Sequence, residues 1–162
     1  MRGLGPRTFP AKRRTVNGRK RSFRPYRQDV WPEPVEQIAA FLRAAGAAGR
    51  LEELPADADS APGPAVRVAG FECDGRSLVA LVPDDRAIDR DKLAAAAGCT
   101  TLRPAPAPEF PFQPGRVFMD WALISMPTLW LEAGSARYML GLSPHDLARL
   151  TRAETADLLL EA

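Results

Sequence analysis

The chain has 162 residues, 46% of them hydrophobic and 26% charged, enough for one domain with its own core. No apolar run approaches the length of a membrane span, no apolar stretch follows the N-terminal charges as in a secretory signal, and two cysteines with one histidine cannot furnish a four-ligand zinc site. The net charge of +2 hides an asymmetry: residues 1–28 hold ten of the 22 Lys and Arg and no acid, so residues 29–162 carry 20 acids against 12 bases, a net of −8.

That first segment, "MRGLGPRTFPAKRRTVNGRKRSFRPYRQ", has little periodicity and a dense like-charge load, so residues 1–29 are expected to be a disordered basic tail and residues 30–162 the domain. Three readings of the tail stand open. It is a basic arm for RNA or another polyanion, with Phe23 and Tyr26 available for stacking; an organelle transit segment that is poor in serine; or a stretch read upstream of the true start.

From Pro34, residues Val35, Ile38, Ala39, Leu42 and Ala45 recur at helical spacing, with Gly49 as the expected stop. "RLEELP" is extended and "ADADSAPGP" a loop. The runs 65–73 and 77–83 flank Asp74-Gly75-Arg76 and predict a β-hairpin. Asp89 caps a helix that Gly98 ends. "CTTLRPA" reads as a strand, "PAPAPEFPFQPG" (104–115) as a proline-studded loop that cannot be a central strand. "RVFMDW", "TLWLEAG" and "RYMLGL" are further strands, and Trp121 and Trp130 on them are expected in the core. Cys73 and Cys99 sit in apolar, strand-like contexts, which predicts buried reduced thiols and a cytoplasmic protein.

The acidic run "DDRAIDRDK" lacks the glycine and terminal glutamate of an EF-hand loop and reads as a solvated loop and helix start. In "LSPHDLARLT", Ser143 is an N-cap, Pro144 the first helical residue, and Asp146, three residues after Ser143, completes the spacing of a capping box. His145, the only histidine, is then expected to lie exposed in a first helical turn rather than to act as a catalytic base, which would need a positioned partner. Thr151 and Glu154 repeat the capping spacing, predicting a second closing helix. Helices interleaved with hairpins and crossovers imply an α+β fold with a mixed sheet. No dinucleotide fingerprint, phosphate-binding loop or nucleophile elbow is present.

Three stretches together, "VEQIAAFLRAAG…GRLEELP", "CDGRSLVALVPDDRAIDRDKLAAAAGC" and "LEAGSARYMLGLSPHDLARLTRAETADL", resemble the YbaK/ProX-type aminoacyl-tRNA deacylases, relatives of the editing insertion of bacterial prolyl-tRNA synthetases. The resemblance spans about residues 34–160. It implies a mixed, largely antiparallel sheet packed by helices, hydrolysis of the ester joining a mischarged amino acid to tRNA, the aminoacylated 3′ end as partner, and no cofactor or metal. In the family a strand lysine and a glycine-rich loop build the site, because ester hydrolysis develops an oxyanion that fixed donors stabilise. Here Arg67 stands at the lysine position, a cation of different donor geometry. The loop is replaced by "APEFPFQPGR", in which only Gly115 survives. The resemblance therefore nominates Arg67 as the catalytic donor and Gly115 and Gly134 as substrate-binding positions. The departures leave an alternative: an inactive member that binds tRNA ends, a small ligand or a protein.

Overall fold

A computed structural model describes residues 13–15, 31–55, 61–133 and 137–161. In chain order the elements are β1 (Arg13–Thr15), α1 (Glu33–Ala44), β2 (Arg50–Glu53), β3 (Val66–Cys73), β4 (Arg76–Pro83), α2 (Arg90–Ala97) and β5 (Leu102–Pro104). There follow β6 (Arg116–Asp120), a 3₁₀ turn (Trp121–Leu123), β7 (Leu129–Glu132), β8 (Tyr138–Leu142), α3 (Pro144–Thr151) and β9 (Glu154–Ala156). The chain divides into two units, residues 1–63 with 130–142, and residues 64–129 with 143–162. The expected tail lies largely outside the described residues. Within it, however, Arg13–Thr15 pairs antiparallel with β2, Arg13 opposite Glu52.

In the first unit α1 buries Val35, Ile38, Ala39 and Leu42, the stripe that the spacing predicts. The helix stops before Gly49: Ala45 closes it and Gly46 takes φ +68°, a left-handed conformation suited to glycine. Gly49 serves packing instead, since a Cβ there would lie 3.0 Å from a Leu42 methyl and 3.1 Å from one of Leu142. The sheet has the order β1-β2-β8-β7. Trp130 of β7 is 4% exposed, as expected of a core residue. Gly141 lies so close that a Cβ would come within 2.7 Å of the indole, and the Arg50 guanidinium sits 5.5 Å from the ring centroid.

The second unit holds a five-stranded sheet, β5-β3-β4-β6-β9. Pairings of β3 with β4 and β5 are antiparallel, those of β6 with β4 and β9 parallel. The β3–β4 hairpin turns on Asp74 (φ 51°) and Gly75 (φ 85°), the left-handed pair that an Asp-Gly dipeptide favours. Asp89 caps α2 through the amides of Asp91 and Lys92, and Gly98 (φ 72°) ends it. Leu93 and Ala97 of α2 pack with Phe71, Leu78, Ala80, Val82, Phe118, Leu158 and Leu159 on one face of the sheet. Ser143 caps α3 by accepting from the Asp146 amide at 3.0 Å, and His145 is exposed in its first turn.

Three expectations fail here, each for a local reason. Residues after Arg152 do not form a second helix. Thr151 commits its hydroxyl backwards to the Leu147 carbonyl at 2.6 Å, Arg152 turns left-handed (φ 58°), and Glu154–Ala156 adds to the open edge of β6. Trp121 is 60% exposed rather than core. The Asp120 carboxylate accepts from the Ala122 amide and ends the strand, so Trp121 leaves the sheet before it can pack inward. Cys73 and Cys99 are joined as a disulfide, not kept as reduced thiols, because the end of β3 and the end of α2 bring their Cα atoms to 5.4 Å.

Candidate functional site

Arg67 is the second residue of β3 and pairs with Val82. Strand alternation places it on the face of Ala69 and Phe71, the one that α2 covers. A terminal guanidinium nitrogen donates to the Arg86 carbonyl, in the loop leading to α2. Its Nε is buried without a hydrogen-bond partner. A buried donor left unmatched costs on the order of 1–3 kcal/mol, so Arg67 keeps a donor uncommitted to the fold.

The β4–β6 register ends at Leu81 opposite Met119, and one further step sets Val82 beside Asp120. Arg67, Val82 and Asp120 thus form one row across the sheet. Asp120 is buried, and its two oxygens accept from the amides of Ala122 and Leu158, each at 2.7 Å. One carboxylate therefore ties the 3₁₀ turn and the C-terminal segment to the end of β6. Trp121 and Ile124 stand exposed just beyond it.

Gly115 lies elsewhere. A Cβ on it would meet Ser77 Oγ at 2.6 Å, and Ser77 pairs with Glu72 near the hairpin turn. Positions 77 and 82 of β4 are about 17 Å apart along the strand, and alternation turns Ser77 to the face opposite Arg67. The two candidates therefore share neither an end nor a face of the sheet. Gly134 lies outside the described residues.

The proline-studded loop is anchored at several points. Leaving β5, it passes so close to β3 that a Cβ on Gly70 would fall 2.4 Å from the Ala105 carbonyl oxygen. Phe112 is buried at φ 68° in edge contact with Phe110, and the Gln113 amide donates to the Thr151 carbonyl at 2.8 Å. In the sequence Gly70 is one more glycine in a strand, and its signal is the general one that a strand glycine marks a close backbone approach.

Lys92, within the R-x-I-D-x-x-K-L-A stretch, reaches Asp157 Oδ2 at 3.0 Å, the Leu159 carbonyl at 2.8 Å and Glu161 Oε2 at 3.4 Å. The hydrogen bond to Asp157 holds its ammonium above the usual lysine value. It works as a tie for the C-terminal segment. Asp74 accepts from the amides of Thr101 at 2.7 Å and Thr100 at 3.1 Å, and these bonds, Thr101 first, hold its carboxyl below the usual range. Among the described residues no group of three or more His, Cys, Asp or Glu is placed to hold a metal, and no helix is long and apolar enough to cross a membrane.

No family model and no curated protein sequence matches the chain. Solved structures do. One, named "putative trans-editing enzyme for prolyl tRNA synthetase", is 21% identical with a TM-score of 0.69, over 82% of this chain and 100% of that one. A scaffold protein from computational epitope grafting is 20% identical at a TM-score of 0.69, over 82% and 100% of the two chains. A hypothetical protein is 20% identical at 0.65, over 79% and 100%. Likeness at this identity defines the fold: the chain has the α+β architecture of these proteins, helices packed on mixed, largely antiparallel sheets.

Proposed function

We propose that the protein is an aminoacyl-tRNA deacylase-like trans-editing protein, acting on the ester of mischarged tRNA. The observation that carries this reading is the likeness, over 82% of this chain and the whole of the other, to the structure named as a trans-editing enzyme, reached independently of the sequence stretches that resemble the same family. Arg67 is its donor. A water attacks the ester carbonyl; the guanidinium of Arg67 stabilises the oxyanion; collapse expels the ribose oxygen, which takes up the proton that the water gives up. The reaction needs no cofactor. Gly115 stands too far from Arg67 to share this oxyanion, so one cation acts without the amides of a glycine loop, and slow turnover follows.

The partner in this reading is the aminoacylated 3′ end of tRNA, with the basic residues of 1–28 contacting phosphates. The test is a deacylation panel of mischarged tRNAs comparing wild type, Arg67→Ala and Arg67→Lys. Losing one oxyanion donor should lower the rate about 10²–10³-fold, and lysine should retain or raise it. A wild type inactive on every substrate, with Arg67→Ala changing neither folding nor ligand binding, would overturn the enzyme reading and leave the inactive binding module as the alternative.

A further inference from the structure

We propose that Cys73–Cys99 is a reversible thiol–disulfide site whose redox state sets the order of residues 98–104, the junction between α2 and the proline-studded loop. The inference is independent of the deacylase reading.

The disulfide spans 26 residues and encloses all of β4 and α2. Both cysteines are half-buried at the margin of the apolar cluster beneath α2, not enclosed within it. In exchange, one thiolate of the dithiol attacks a sulfur and its second thiol resolves the mixed disulfide. Two electrons and two protons pass to Cys73 and Cys99, and the reductant leaves as its own disulfide. Reduced, the pair still packs as two small apolar side chains, so the core persists.

What reduction removes is the covalent hold on one short segment. Gly98 is left-handed, and the Cys99 amide donates back to the Ala94 carbonyl at 2.9 Å, closing the helix. Beyond that point only non-covalent attachments remain, among them the Arg90 guanidinium donating to the Leu102 carbonyl at 3.1 Å and the exposed Arg103–Glu72 ion pair at 3.6 Å. Asp74 binds the amides of Thr100 and Thr101 and donates its own amide to the Thr101 carbonyl at 2.9 Å, and β5 pairs with β3 over three residues. A three-residue edge strand ending in Pro104 is a weak anchor on its own. The same segment sets where the loop begins, directly before its close passage over Gly70.

The experiment uses the full-length protein, oxidised with diamide or reduced with dithiothreitol, followed by alkylation under denaturing conditions and by hydrogen–deuterium exchange. The oxidised protein should take up no alkyl group and the reduced protein two. Amides of 98–104 should exchange roughly tenfold faster or more after reduction, while α3 stays as protected as before. The Cys73→Ser/Cys99→Ser variant should match the reduced protein and ignore dithiothreitol. Two free thiols after diamide, equal exchange in both states, or faster exchange throughout the chain would each overturn the proposal. Should the double variant fail to fold, the wild-type comparison decides alone.

Discussion

The two ends of the second unit's sheet are held in different ways. At the hairpin end a disulfide, the Asp74 carboxylate and the contact of Gly115 with Ser77 act on neighbouring residues. At the other end single groups do separate jobs: Arg67 holds the Arg86 carbonyl, Asp120 holds two amides, and the Leu160 amide reaches the Ala87 carbonyl at 2.9 Å. Shared fastening spreads the load at the hairpin end, so that one loss there loosens a segment without unfolding the unit. The opposite end has no such reserve, and substitutions of the groups that hold it, Asp120 above all, should register more strongly.

The largest effect is expected at Asp120. Asp120→Ala strands two amides near the core and should destabilise the fold by about 2–4 kcal/mol in urea titration. An effect below that of Asp74→Asn would reverse the comparison. Asp74→Asn removes a charge but keeps one acceptor oxygen, so its effect should be modest while the disulfide is intact and larger after reduction. The sign with pH is fixed by the depressed carboxyl. Its contribution is fully present above the usual value of 3.8 and fades only as pH falls below it. Wild type and Asp74→Asn should therefore differ constantly down to that pH and converge beneath it, as followed by acid titration. Trp121→Ser should change stability by less than about 0.5 kcal/mol, since the ring is mostly solvated; a larger loss would mean that the exposed end is packed after all.

What could be read in the sequence follows from how local each signal is. Asp74-Gly75, Asp89 and Ser143 act within a few residues, and the hairpin and both helix starts lie where those residues put them. The disulfide depends on two chain ends meeting after 26 residues of strand, helix and turn, which composition does not encode. Nor does spacing reveal that β6 has an open edge, so Glu154–Ala156 looked like the start of a helix and became a strand. Of the candidate site, the sequence supplies positions alone: the resemblance nominates Arg67 and Gly115, but which face each turns to is set by register, and only pairing with β4 supplies that.

The chain's tryptophans divide between the two units: Trp31 and Trp130 belong to the first and Trp121 to the second. Trp130 is enclosed beneath Arg50 and against Gly63 and Gly141, while Trp121 meets solvent. Each unit thus carries its own optical probe. A soluble quencher silences Trp121 first, so the remaining emission follows the first unit through a denaturation, and the quenchable fraction follows the end of the sheet that carries Arg67.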